Sequence, residues 1–282
     1  MATKSFYGYW HLVRPVNVLI TFFAIVIACW ISGATLEDLS VVLLAACSSA
    51  SVAAGANALN DYIDIEIDKI NKPNRPLPSG ELTPRQARNA WIVCSLLGIV
   101  FSMGIHWLAV GIVLFAILML YFYSNYWKQK VLIGNFIVAL MTGLTFLYGG
   151  SAMMKIDQAL VPAAFAFLTN LAREVVKDVE DMEGDRLQRA FTLPVRYGVF
   201  PSRIIISIVV FATILLSFVV VAKGIYSSAF TVCVIIANIL FIAGTILSWK
   251  SSDSKTMHTV SSLFKIGMVV GLIGIIGGAG IL

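Results

Sequence analysis

Charge is scarce in this chain. Only 12% of its 282 residues are Asp, Glu, Lys or Arg, about half the roughly 25% of an average soluble domain. That scarcity excludes a soluble enzyme and a disordered chain alike. Cysteine and histidine are few as well. Cys29, Cys47, Cys94 and Cys233 lie in apolar runs with no paired spacing, so they read as small packing residues and argue against a disulfide framework or a zinc site. His11, His106 and His258 are scattered singly, which speaks against a histidine-built metal centre. The D-x-D-x-D-G loop of an EF-hand is missing. The first apolar run is too long for the core of a cleavable signal, and no small-residue cleavage site leads into a soluble mature domain.

What is present is hydrocarbon: 59% of the residues are hydrophobic and the mean hydropathy is +0.89. The apolar runs continue for about 20 residues, the length of a membrane-crossing helix, whereas barrel strands alternate over about 10. The chain is therefore expected to be all-α, a polytopic membrane protein. Nine runs are long enough to cross: Val16–Ser32, Ser40–Asn60, Ala87–Met103, Leu108–Tyr126, Val131–Gly149, Gln158–Val176, Arg203–Ala222, Tyr226–Trp249 and Val260–Ile281. Threading the chain through nine spans puts seventeen of the twenty Lys and Arg on one side. The positive-inside rule then predicts a multi-pass protein of the cell membrane with the N-terminus cytoplasmic and the C-terminus outside. All six tryptophans fall near a span end, as residues of the interfacial belt do. The pI near 9.0 follows from the loop charges, so anionic headgroups or phosphorylated substrates account for it and nucleic acid is not expected. Lys265 stands alone inside the last span, facing a cavity or snorkelling to a headgroup. Nothing here sets an oligomeric state, since the glycines from Gly267 to Gly280 suit close packing within one molecule or between copies.

The acids are bunched. Five of the fifteen lie between Asp61 and Glu81, and six between Glu174 and Asp185. Each bunch directly follows a long apolar run. Asp61, Asp64 and Asp68 stand at i, i+3, i+7, and so do Asp178, Asp181 and Asp185, 117 residues later. On a helix those offsets bring three carboxylates onto one stripe. A Leu-Pro pair follows each triad, Leu77-Pro78 and Leu193-Pro194, so an internal repeat is expected within a single domain, residues 1–282, with motifs at 60–68 and 178–185. Solvated loop acids are the plainer reading, but like charges on one stripe repel, and nothing structural asks for the pattern twice. Two facing stripes, with amide oxygens from Asn60 and Asn57, would make a hard-oxygen site suited to Mg²⁺, which takes one or two carboxylates and completes its shell with water and phosphate.

Basic residues interleave with these acids. Arg75 lies in Asn74-Arg75-Pro76-Leu77-Pro78-Ser79-Gly80, where the prolines stiffen the loop. Lys128 and Lys130 follow Tyr123-Ser124-Asn125-Tyr126-Trp127, and Arg173 and Lys177 are one turn apart on the second acidic segment. Acids that hold a metal beside bases that hold oxygens describe a diphosphate clamp. Arg75 and Lys128 are stronger candidates for it than Arg186, Arg189 or Arg196.

At these residues the sequence resembles the UbiA superfamily of intramembrane prenyltransferases. NDYIDIEID at 60–68 fits its N-D-x-x-D-x-x-x-D signature, Asp181-Met182-Glu183-Gly184-Asp185 fits its second D-x-x-x-D motif, and YSNYWK at 123–128 is similar to the tyrosine–lysine motif between them. The resemblance implies nine helices around a central cavity capped on the cytoplasmic side. It implies that Asn60, Asp64 and Asp68, with Asp178, Asp181 and Asp185, hold Mg²⁺ on a prenyl diphosphate, and that Arg75, Lys128 and Lys177 bind diphosphate oxygens. Either Asp61 or Asp68 would take the proton of the attacking acceptor. Arg14-Pro15-Val16-Asn17, NDYIDIEIDKINKPNRPLPSG, and REVVKDVEDMEGD followed by TLPVRYG look most like members that move a geranylgeranyl group onto the hydroxyl of geranylgeranylglycerol phosphate, a lipid-like acceptor. Arg14, Arg173 and Lys177 are then candidates for the acceptor phosphate, and Asn17 and Asn57 complete the substrate-binding set. Aromatic prenyltransferases of quinone synthesis and chlorophyll synthase are the alternatives inside the family. A secondary transporter is the alternative outside it, although transporter sites lie near the midplane on broken helices and these carboxylates follow the spans.

Overall fold

The computed structural model of the chain describes residues 2–187 and 190–279, with the side chains of residues 2–5 and 71 left undescribed. Arg189, Gly280 and Ile281, where the ninth expected span ends, lie outside the described residues. Within them the structure is helical, with no strand. Helix α1 (Ala2–Val13) is followed by α2 (Pro15–Ile31), α3 (Leu39–Ile63), α4 (Ile65–Asn71), α5 (Pro84–Met103) and α6 (Trp107–Phe122). Then come α7 (Ile133–Ala152), α8 (Ile156–Glu180), the short α9 (Met182–Leu187) and α10 (Leu193–Tyr197), and finally α11 (Val199–Ala222), α12 (Ser228–Lys250) and α13 (Ser254–Gly278).

Each of the nine expected runs falls on a helix, with ends displaced by a few residues. Among the described residues seven helices can cross a membrane by length and composition, and α1 with α2 makes an eighth if that bent pair is one span. The remaining run lies on α5, whose first turns carry Arg85, Gln86, Arg88 and Asn89 and dilute its apolar character. The α1–α2 bend of 49° has a local cause. Pro15 disfavours a helical conformation at the residue before it, and Arg14 takes left-handed angles, φ 53 and ψ 71.

The chain divides into two compact units, Met1–Tyr126 with Tyr148–Ile156, and Trp127–Leu147 with Asp157–Leu282. In the first, α3 is the hub and packs against α1, α2, α5 and α6. Its sequence explains this: Ala45, Ala46, Ser48, Ala54, Gly55 and Ala58 are buried, and small residues let helices approach where lipid removes the hydrophobic drive to associate. A Cβ on Gly98 of α5 would sit 2.7 Å from Val52 Cγ2, and Ser48 Oγ donates to the Gly98 carbonyl at 2.7 Å. His106, at the head of α6, is a structural histidine. Its Nδ1 accepts from Ala109 N at 3.3 Å, and its Nε2 donates to the Ser151 carbonyl at 2.7 Å.

In the second unit, Val175, Val176 and Val179 of α8 pack with Ile206, Val210, Met257 and Val260. Phe264 of α13 lies over Gly244 and Phe241 of α12 over Gly267, so the two rings meet edge to face with centroids 5.3 Å apart. All four cysteines are free. Lys265 is exposed on α13, which favours snorkelling over a place in this unit's core.

Candidate active site

The first acidic cluster is built where α3 ends. Asp61 is in the last turn of α3, Asp64 joins it to α4, and Asp68 is in α4. The i→i−4 bonds run on through the joint, with Asp64 N to Asn60 O at 2.9 Å and Asp68 N to Asp64 O at 2.8 Å, so the chain bends without uncoiling. Asp61 and Asp68 are buried, at 2% and 4% exposure. Burying two carboxylates requires partners, and arginines supply them. Arg75 Nη1 lies 3.0 Å from Asp61 Oδ1 and 2.5 Å from Asp68 Oδ2, bridging the two. Arg14 Nη2 also donates to Asp61 Oδ1.

Arg75 reaches this position because its loop is anchored. Leu77 and Leu82 are buried among Leu12, Ala58 and Ala87, while Arg75 N bonds Lys72 O at 3.0 Å and Leu82 N bonds Pro76 O at 2.9 Å. Asn57 Nδ2 donates to the Val13 carbonyl at 2.8 Å, closing the C-terminal end of α1. His11, Arg14, Asp61 and the loop from Lys72 to Pro76 line a cavity of about 410 Å³.

The second cluster repeats the geometry with other partners. Asp178 is on α8, Asp181 falls at the turn that ends it, and Asp185 is on α9. Again the helical bonds continue, Asp181 N to Lys177 O at 2.8 Å and Asp185 N to Asp181 O at 2.9 Å. Asp178 Oδ2 accepts from Asn135 Nδ2 at 3.0 Å, and Asp185 Oδ2 accepts from Thr192 Oγ1 at 3.1 Å. Burial holds the Asp185 carboxyl above the usual range; Asp181 beside it pushes the same way, while Thr192 and Lys177 pull it down. Arg173 and Lys177 flank Glu174, at 3.0 Å and 3.9 Å. Asp181, Asp185, Glu180, Glu183 and Asp253 line a cavity of about 510 Å³.

Of the other expected residues, Asn60 is half-buried in the last turn of α3, and Asn17 is exposed one turn into α2. Lys128 follows a widened, π-type turn over Tyr123–Trp127, a feature frequent at functional sites. Its carbonyl would lie 3.1 Å from a Cβ on Gly134, so only glycine fits there without displacement. Asn135, Thr192 and Glu174 escaped the sequence reading. Asn135 had a signal, an amide inside an apolar run; Thr192 lies in a loop and had none.

Among the described residues no three His, Cys, Asp or Glu side chains converge into a closed metal cage. The oxygen donors present, such as Asp181 and Asp185 on one cavity wall, fit a hard cation that takes one or two carboxylates and fills its shell with water and phosphate oxygens.

Comparison with known proteins agrees with this geometry. The digeranylgeranylglyceryl phosphate synthase of Methanosphaera stadtmanae is 34% identical over 271 residues, covering 96% of this chain and 98% of that protein. A solved structure of a digeranylgeranylglyceryl phosphate synthase in membranes superposes with a TM-score of 0.89 at 33% identity, covering 99% and 100% of the two chains. A UbiA homologue from Archaeoglobus fulgidus, bound to DMAPP and Mg²⁺, shares the fold at a TM-score of 0.65 and 19% identity over 95% of this chain and 99% of its own. Residues 18–269 match the UbiA prenyltransferase family, and the chain belongs to that family of membrane-embedded enzymes.

Proposed function

We propose that this protein transfers a geranylgeranyl group from its diphosphate to the hydroxyl of geranylgeranylglycerol phosphate, forming an ether-lipid precursor in a Mg²⁺-dependent reaction. The observation that carries this reading is the end-to-end likeness, 34% identical over 96% of the chain, to digeranylgeranylglyceryl phosphate synthase. The reading gives each cluster a task. Asn60, Asp64 and Asp68, and separately Asp178, Asp181 and Asp185, supply oxygen ligands to Mg²⁺. Bound ions would offset the negative charge that builds on the departing diphosphate.

The chain's own residues account for the rest. Arg75, Lys128 and Lys177 are fixed cations for diphosphate oxygens, most effective where bulk water is excluded. Breaking the allylic C–O bond leaves the electron pair on the diphosphate and an allylic cation on the prenyl chain. The acceptor oxygen attacks that cation, the new C–O bond forms, and the hydroxyl proton passes to Asp61 or Asp68. Apolar helices keep water from capturing the cation. We also infer that the N-terminus is cytoplasmic, from the positive-inside bias.

Detergent-purified protein is incubated with labelled geranylgeranyl diphosphate, Mg²⁺ and either geranylgeranylglycerol phosphate or an aromatic acceptor (4-hydroxybenzoate, homogentisate or dihydroxynaphthoate). Product with the glycerol phosphate alone is the expected result. Product with an aromatic acceptor alone moves the enzyme to quinone synthesis.

A further inference from the structure

The cavity beside the first acidic cluster holds a charge arrangement that a diphosphate clamp does not require. Its walls are His11 from the last turn of α1, Arg14 at the α1–α2 break, Asp61, and Lys72, Asn74 and Arg75 of the following loop. Three permanent cations thus line it beside one carboxylate; both arginines bind that carboxylate and Arg75 binds Asp68 as well, which leaves one positive charge in excess. An excess of positive charge in a space of about 410 Å³ suits a small polyanion and is hostile to a hydrocarbon chain.

The site is built, and its parts are held from three directions. Arg14 occupies left-handed angles that strain any residue other than glycine. Pro15 locks the start of α2 on one side of it, and Asn57 ties down Val13 on the other. Pro73 and Pro76 bracket Asn74 and Arg75, which limits the freedom the loop loses on binding. His11 is oriented by its Nδ1 donating to the Tyr7 carbonyl at 3.0 Å.

The surroundings indicate what carries the anion. The same α1 that supplies His11 exposes Phe6, Tyr7 and Trp10, at 74%, 59% and 54%. Aromatic side chains of that kind settle at the headgroup level of a bilayer. A pocket at the depth of His11 and Arg14 is therefore placed for a phosphate attached to a lipid.

We propose that His11, Arg14, Lys72 and Asn74 form the subsite for the phosphomonoester of the lipid acceptor, with Arg75 as the wall shared with the carboxylates. This rests on the function proposed above and adds His11, Lys72 and Asn74 to the acceptor's recognition. Lys72 donates from a compact, mobile ammonium, and Asn74 offers an amide donor that discriminates phosphate oxygens from apolar groups. Arg14 reads the anion while holding Asp61, so acceptor binding and the first acidic cluster share one guanidinium.

The test varies enzyme and acceptor together. Wild type, Lys72→Ala and His11→Ala/Lys72→Ala are assayed with geranylgeranylglycerol phosphate and with geranylgeranylglycerol lacking the phosphate. Lys72 and His11 are exposed, and thermal unfolding checks that the variants fold. The expected result is a rise in acceptor KM of roughly tenfold or more in the double variant, the size of one or two lost charge-assisted hydrogen bonds. The donor KM stays constant, and in the variant the phosphorylated acceptor loses most of its advantage over the unphosphorylated one. A parallel rise in donor KM overturns the proposal and makes the cavity part of the diphosphate site. An undiminished preference for the phosphorylated acceptor overturns it as well. Wild type that uses neither glycerol acceptor fails the functional reading itself, a result distinguishable from both.

Discussion

In the first acidic cluster Asp61 and Asp68 are held by guanidinium groups, whereas in the second Asp178 and Asp185 accept hydrogen bonds from a neutral amide and a hydroxyl. The spacing of the aspartates is the same, and each helix bends at the middle one. The partners make the clusters electrostatically different. Two arginines offset the charge of the buried Asp61 and Asp68 and fix their positions. Asn135 and Thr192 orient carboxylates without cancelling them, and the nearby Arg173 and Lys177 are drawn to Glu174. At Asp185, where burial and the neighbouring Asp181 both oppose ionisation, an arriving divalent cation favours the charged form. Equal spacing therefore does not mean equal duty.

The comparison breaks or sharpens under substitution. The largest effect is expected on turnover. Asp64→Asn and Asp181→Asn should each lower prenyl transfer by roughly 10²–10³-fold, the scale of losing one preorganised electrostatic group, with the thermal unfolding midpoint little changed. Undiminished turnover in both variants would remove the metal assignment from both clusters.

Stability separates the clusters next. Arg75→Ala strands Asp68 and leaves Asp61 with Arg14 alone, and should cost on the order of 2–3 kcal/mol, below the full loss for orphaning a buried ion. It should also weaken binding of the donor. Asn135→Ala removes one neutral donor from Asp178 and should cost about 1 kcal/mol. Denaturation in the same detergent compares them directly, and equal losses would erase the distinction between a charged and a neutral scaffold.

The smallest effect carries the clearest sign. Because the folded protein holds the Asp185 proton more tightly than the unfolded chain, ionised Asp185 weakens the fold above its raised pKa, and that penalty disappears as pH falls toward 3.8. Asp185→Asn should therefore be as stable as wild type at acid pH and slightly more stable at neutral pH, while losing transfer. A lower unfolding midpoint at neutral pH would show that the carboxylate is compensated after all.

Much of the fold was legible beforehand because membrane spans are written locally. A run such as Val131–Gly149 must satisfy its own backbone in lipid, so its composition alone marks a helix. The short helices α1 and α10 were not anticipated; their existence depends on anchors such as Leu12 and Leu193 packing into larger clusters. At the site, the aspartates declared themselves by repetition. Their partners did not, because Arg14 and Asp61 are 47 residues apart and Asn135 and Asp178 are 43 apart, separations at which no periodicity operates.

Sequence alone determined that this protein lives in a membrane as a bundle of helices, that it carries two aspartate triads of matching pitch, and that cations accompany them, since hydropathy and helical spacing act over a few turns. Tertiary structure alone decided that Arg75 bridges Asp61 and Asp68, that Asn57 closes a helix instead of offering its amide nitrogen elsewhere, and that His11 and Lys72 share a cavity with Arg14. Those are choices of partner. A charged side chain in a low-dielectric setting takes whichever opposite charge the fold brings within reach, and only the packed chain says which one that is.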